Sequence, residues 1–113
     1  MKINQDWYVL YRREIQQASI ARTSGNEGMA RVCARRAAGV VVEEFLKSRS
    51  LDSTQNAYQN LQLLMNLPEV KTEVRLVAQH LLLRVKPDFS LPIKTDLIEE
   101  AKWLAHELLQ IET

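Results

Sequence analysis

The sequence predicts an all-α fold, a compact bundle of about five helices in a single domain over residues 1–113. Three observations carry that expectation. Apolar residues recur at helical spacing along nearly the whole chain. No run alternates apolar with polar residues, and no Asn-Gly or Asp-Gly turn joins two apolar runs, so strand signals are missing. Gly and Pro number three each, too few for a loop-rich chain.

The elements follow in order. The first helix is predicted over residues 4–22, with Trp7, Leu10, Tyr11, Ile15, Ala18 and Ala21 on one face and Arg12, Arg13, Gln16, Gln17 and Ser19 opposite. The second is predicted over 26–47. Ser24-Gly25-Asn26-Glu27 reads as its capping box: the Ser24 hydroxyl accepts from the Glu27 amide, and the Glu27 carboxylate reaches back to the Ser24 amide. Ala30, Ala34, Ala37, Val41 and Phe45 form one stripe, with Met29, Cys33 and Val40 beside it and Val32 and Leu46 further round. Apolar residues thus cover most of the circumference, as on a central, buried helix. The alanines and Gly39 let a neighbouring backbone come close. The third helix is predicted over 54–66 with Asp52 as its cap, in a stretch from Ser53 to Pro68 that holds no charge. The fourth is predicted over 68–85, starting at Pro68, a residue suited to a first helical position. Its stripe is Val70, Val74, Val77, Ala78, Leu81 and Val85. The fifth is predicted over 95–111 from a Thr95 cap, with Asp96, Glu99 and Glu100 near the positive end of the helix dipole.

Composition narrows the class. Hydrophobic residues make up 46% and charged residues 26% of the chain, as in ordinary globular proteins. Cys33 is the single cysteine, so no internal disulfide forms, and a reducing, cytoplasmic setting is expected. No segment approaches the roughly 18 uninterrupted apolar residues of a membrane span, and no signal-peptide core is visible. No membrane role is expected. Net charge is +1, but residues 1–50 carry nine Lys/Arg against five Asp/Glu, and residues 51–113 carry six against nine. That excess is small for a nucleic-acid binder, and the two halves are expected to lie against each other.

Candidate chemistry is sparse. Arg31, Arg35 and Arg36, on the glycine-flanked second helix, are the candidate anion-binding residues, since helix N-termini attract anions. The stretch is no Walker loop: it lacks both the lysine and a preceding strand. Glu27 would fill the place of a phosphate. Arg36 falls between Val32 and Val40 near Glu43, so it is expected to be partly covered and ion-paired. His80 and His106 sit in no metal-ligand spacing, and no metal or cofactor is expected.

Arg75-Leu76-Val77-Ala78-Gln79-His80 resembles the Arg-x4–6-His motif of the HEPN superfamily of small helical domains. The order of elements is similar too, with a small-residue helix second and a final helix after a polar loop. The resemblance implies a commonly dimeric helical bundle that binds nucleotides or acts as a metal-independent ribonuclease, with Arg75 and His80 as the catalytic pair. On a regular helix five positions set these two about 140° apart. His80 lines up instead with Glu73 and Arg84 on the polar face.

Apolar residues off the core stripes point to a partner. Leu76 and Leu83 lie one heptad apart on the fourth helix, on the side away from Val74 and Leu81, with Leu82 between the two sides, and Trp103 falls among Asp96, Glu100 and Glu107. Val9, Ile20 and Leu63 are further examples. Tryptophan is enriched at binding hot spots, so Leu76, Leu82, Leu83 and Trp103 form the candidate partner interface. The residues favour a non-catalytic interaction or regulatory module that forms a homodimer. The alternative is a HEPN-like nucleotide- or RNA-binding domain.

Overall fold

The computed structural model describes residues 6–83 and 94–110. Five α-helices run in the order α1 (Asp6–Thr23), α2 (Glu27–Ser48), α3 (Ala57–Met65), α4 (Thr72–Leu82) and α5 (Leu97–Leu109). The all-α expectation holds. The helix boundaries differ from the sequence reading at the α1–α2 corner, at the starts of α3, α4 and α5, and at the end of α4.

At the α1–α2 corner, Ser24 ends α1 instead of capping α2. Gly25 takes φ +82°, a left-handed conformation that suits glycine. The Asn26 amide bonds the Ala21 carbonyl at 2.8 Å and the Gly25 amide bonds the Arg22 carbonyl at 3.0 Å. That pair of bonds is a Schellman stop. Asn26 then caps α2, its side chain accepting from the Met29 amide at 3.1 Å. The Glu27 carboxylate turns to Arg22 rather than to Ser24, so the expected capping box does not form.

The third helix starts at Ala57, capped by Asn56, which accepts from the Gln59 amide at 2.9 Å. Asp52 is not its cap. Buried Asn60 holds the preceding segment away from helical geometry: its Oδ1 accepts from the Thr54 amide at 2.9 Å and its Nδ2 donates to the Thr54 carbonyl at 2.9 Å. The fourth helix starts at Thr72, four residues after Pro68. The guanidinium of Arg75 donates to the carbonyls of Met65, Leu67 and Pro68, which satisfies that connection without a helix. Its expected end at Val85 lies outside the described residues; α4 itself stops at Leu82. Asp96, not Thr95, caps α5, accepting from the amides of Ile98 and Glu99.

Helix α2 touches all four other helices, which confirms its central place. Tyr11, Val41, Val42, Leu46, Leu61, Leu64, Val74, Leu81, Leu97 and Leu104 are almost wholly covered in the shared core. Gly39 earns its place there: a Cβ on it would lie 2.3 Å from the Ala57 Cβ. Leu10, expected on the buried face of α1, is 45% exposed instead. The Cα radius of gyration is 13.6 Å, close to the ~13 Å of a compact chain of this length. No described helix is long and apolar enough to cross a membrane.

Candidate functional site

The residues with the strongest chemical potential are mostly engaged in holding the helices together. Arg75 is partly buried and clamps the α3–α4 connection, with its shortest bond, 2.7 Å, to the Leu67 carbonyl. His80 faces α5, its Nδ1 lying 2.6 Å from Glu100 Oε1, and both side chains are mostly covered. The same carboxylate oxygen accepts from the Thr95 hydroxyl. His80 is therefore tied to Glu100 and not to the polar face with Glu73. Arg84, the other expected neighbour, lies outside the described residues.

The three arginines of α2 part company. Arg31 lies 3.9 Å from Glu27, one turn earlier, a loose ion pair in the expected order. Arg35 donates to the carbonyls of Leu81 at 2.6 Å and Leu83 at 2.9 Å. It satisfies carbonyls that the last turn of α4 leaves without helical partners. Arg36 corrects the sequence reading: it is exposed, and it has no hydrogen-bond or ion-pair partner among the described residues. Glu43, its expected partner, pairs with Lys47 at 2.9 Å. Arg36 instead lines a cleft of about 530 Å³ between α1, α2 and the start of α3, where Leu10, Glu14, Val40 and Tyr58 also face the opening.

The α1–α2 corner holds the densest charge. Arg22 forks to the Glu27 carboxylate at 2.7 and 2.9 Å, and its Nη1 lies 3.0 Å from both oxygens of Asp96. It therefore joins the end of α1 to the starts of α2 and α5. The hydrogen bond from Arg22 holds Glu27 below the usual carboxylate range against a smaller opposing effect of burial. For Asp96 burial pulls upward, but Arg22 and the amides of Glu99 and Ile98 together win and keep it low. Arg22 itself is raised, chiefly by its bond to Glu27. Buried Cys33 moves the other way: burial pushes its thiol up, so it lacks the thiolate character of a nucleophile. No group of three or more His, Cys, Asp or Glu among the described residues could hold a metal ion.

The expected interface residues also separate. Leu76 is 50% exposed. Leu82, Leu83 and Trp103 are partly buried and pack against the core. Leu83 has left the helix, with ψ 140°, so the Leu76/Leu83 pair does not form one continuous helical face. A feature not read from the sequence is a groove of about 580 Å³ between α1 and α5, with Tyr11 and Ile15 in its wall and Lys102 opposite. The position of Ile20 off the α1 stripe was its one visible trace. Comparison with family models, with curated proteins and with solved structures finds no match to this chain.

Proposed function

We propose that the chain is a non-catalytic interaction module of the cytoplasm that forms a homodimer through α4, anchored on Leu76. One observation carries the reading. On a single helix, Arg75 is consumed by three backbone carbonyls and His80 by Glu100, while Leu76 beside Arg75 stands half exposed. Arg75 is committed to backbone carbonyls, and an exposed leucine on the same helix can be covered by pairing with a second copy. Leu82, Leu83 and Trp103 are partly buried against the core and leave Leu76 as the exposed anchor.

Sedimentation velocity of the wild type, Leu76→Glu and His80→Ala tests it. The wild type and His80→Ala should run as dimers and Leu76→Glu as a monomer. A monomeric wild type, or a dimer that Leu76→Glu leaves intact, refutes the reading.

A second reading, nucleotide or RNA binding in the HEPN manner, draws on Arg36, whose guanidinium is exposed and without a partner among the described residues. It requires single-stranded RNA binding that weakens steeply with salt and is lost in Arg36→Ala.

A further inference from the structure

The groove between α1 and α5 combines apolar side chains with the polar Gln16 and Ser19 and the cations Arg12 and Lys102. Tyr11 is fully buried and Ile15 nearly so, yet Ile20, which also lines the groove, is 58% exposed. From Arg12 to Ile20 the groove follows α1 for about 12 Å, a little over two turns. Among the described residues, the charged ones that line it are Arg12 and Lys102, both cationic. Their present contacts are short-range surface ones: Arg12 donates to the Tyr8 hydroxyl at 3.0 Å, and Lys102 lies 3.5 Å from Glu99. Exposed pairs of this kind exchange partners at small cost.

We propose that this groove docks an acidic amphipathic helix of a partner protein. The proposal deepens the interaction-module reading and rests on it, but it uses a different face. A groove alongside a helix fits the apolar stripe of another helix, with anchors spaced i, i+4 and i+7. Anchors of that spacing cover Ile15 and Ile20, and a carboxylate one turn away meets Arg12 on one side and Lys102 on the other. A second copy docked through its own α1 would bring Arg12 and Arg13 against Arg12 and Lys102. Like charges then oppose one another, which favours an acidic partner over self-pairing at this face.

The test uses the full-length protein and an 18-residue fluorescein-labelled peptide of leucine, alanine and glutamate, with leucines at i, i+4 and i+7. Its twin carries lysine in place of every glutamate. Fluorescence anisotropy should show binding of the glutamate peptide alone. The double variant Arg12→Glu plus Lys102→Glu should weaken it by about tenfold or more and admit the lysine twin. Ile20→Glu, at an exposed position that folding does not need, should also abolish binding. Equal binding of both peptides, or affinity unmoved by the double reversal, overturns the proposal. Dissociation of a wild-type dimer by Ile20→Glu also overturns it, because a second copy is then the occupant. Leu76→Glu separates this proposal from the dimer reading. It should leave peptide binding intact, so loss of peptide binding and loss of the dimer report on different faces.

Discussion

Replacing Gly39 with alanine asks how tightly α2 and α3 are set together. The added Cβ would lie 2.3 Å from the Ala57 Cβ and 2.6 Å from the Ala57 Cα. Carbon atoms reach their attractive optimum at about 3.5–4.0 Å, so the helices must part by ~1 Å or more. No rotamer change relieves this, because the opposing atoms are a backbone carbon and the methyl fixed to it. Overpacking of this kind costs roughly 1–3 kcal/mol. The separation also draws the Gly39 carbonyl away from Asn60 Nδ2, already at 3.5 Å. Losing that bond costs about 1 kcal/mol. Against these stands a gain of about 1 kcal/mol from replacing glycine within a helix. The expected net is a loss of about 1–3 kcal/mol, read in urea as a lower midpoint at unchanged slope. Gly28→Ala is the matched control, since its Cβ would meet only Asn26 Oδ1, at 3.8 Å. That variant should gain up to about 1 kcal/mol. A Gly39→Ala midpoint at or above the wild type would refute the close-approach argument.

Three further outcomes follow from the same contacts. Asn60→Ala strips partners from both the amide and the carbonyl of Thr54 and should destabilise by about 2–3 kcal/mol, with faster amide exchange at the start of α3. Arg35→Ala should fray the end of α4, raising exchange at the Leu83 amide and costing roughly 1.5–3 kcal/mol in urea. Arg22→Ala should lower stability near neutrality by no more than about 1 kcal/mol per pair, because these groups are partly exposed. It should also flatten the acid limb. Glu27 and Asp96 are held below their ordinary values of 4.5 and 3.8, so the stability they contribute is present above those values and is lost as pH falls through the lowered ones. Urea midpoints from pH 7 down to pH 3 check this, and a variant curve parallel to the wild type refutes it.

The existence of five helices and the central place of α2 were legible because periodicity and small residues act locally along the chain. Their boundaries were less so, because distant side chains set them. Nothing near Asp52 announces that Asn60 will hold Thr54, and nothing near Pro68 announces that Arg75 will take the carbonyls before it. Gly25 is the exception among the corrections. A glycine two residues past the last residue of a helix is a stop signal, and it outweighed the Ser24–Glu27 pattern. The candidate site was harder to read. Composition marks arginine and histidine as chemically able, but only the fold shows Arg35 and Arg75 occupied by carbonyls and Arg36 left over. Trp103 looked like a surface anchor on its acidic neighbours alone, whereas α5 turns it partly onto the core.

The hub position of α2 has a cost in the order of synthesis. Its apolar circumference is complete once Ser48 is made, but of its four packing partners only α1 precedes it. The last, α5, ends at Leu109. At ~5–20 residues per second, the roughly sixty intervening residues take several seconds to appear. For that interval α2 lacks the cover that α3, α4 and α5 later supply. The nascent chain is then at its most adhesive, and a chaperone that binds short apolar helical segments would find its best target in α2, before α5 arrives.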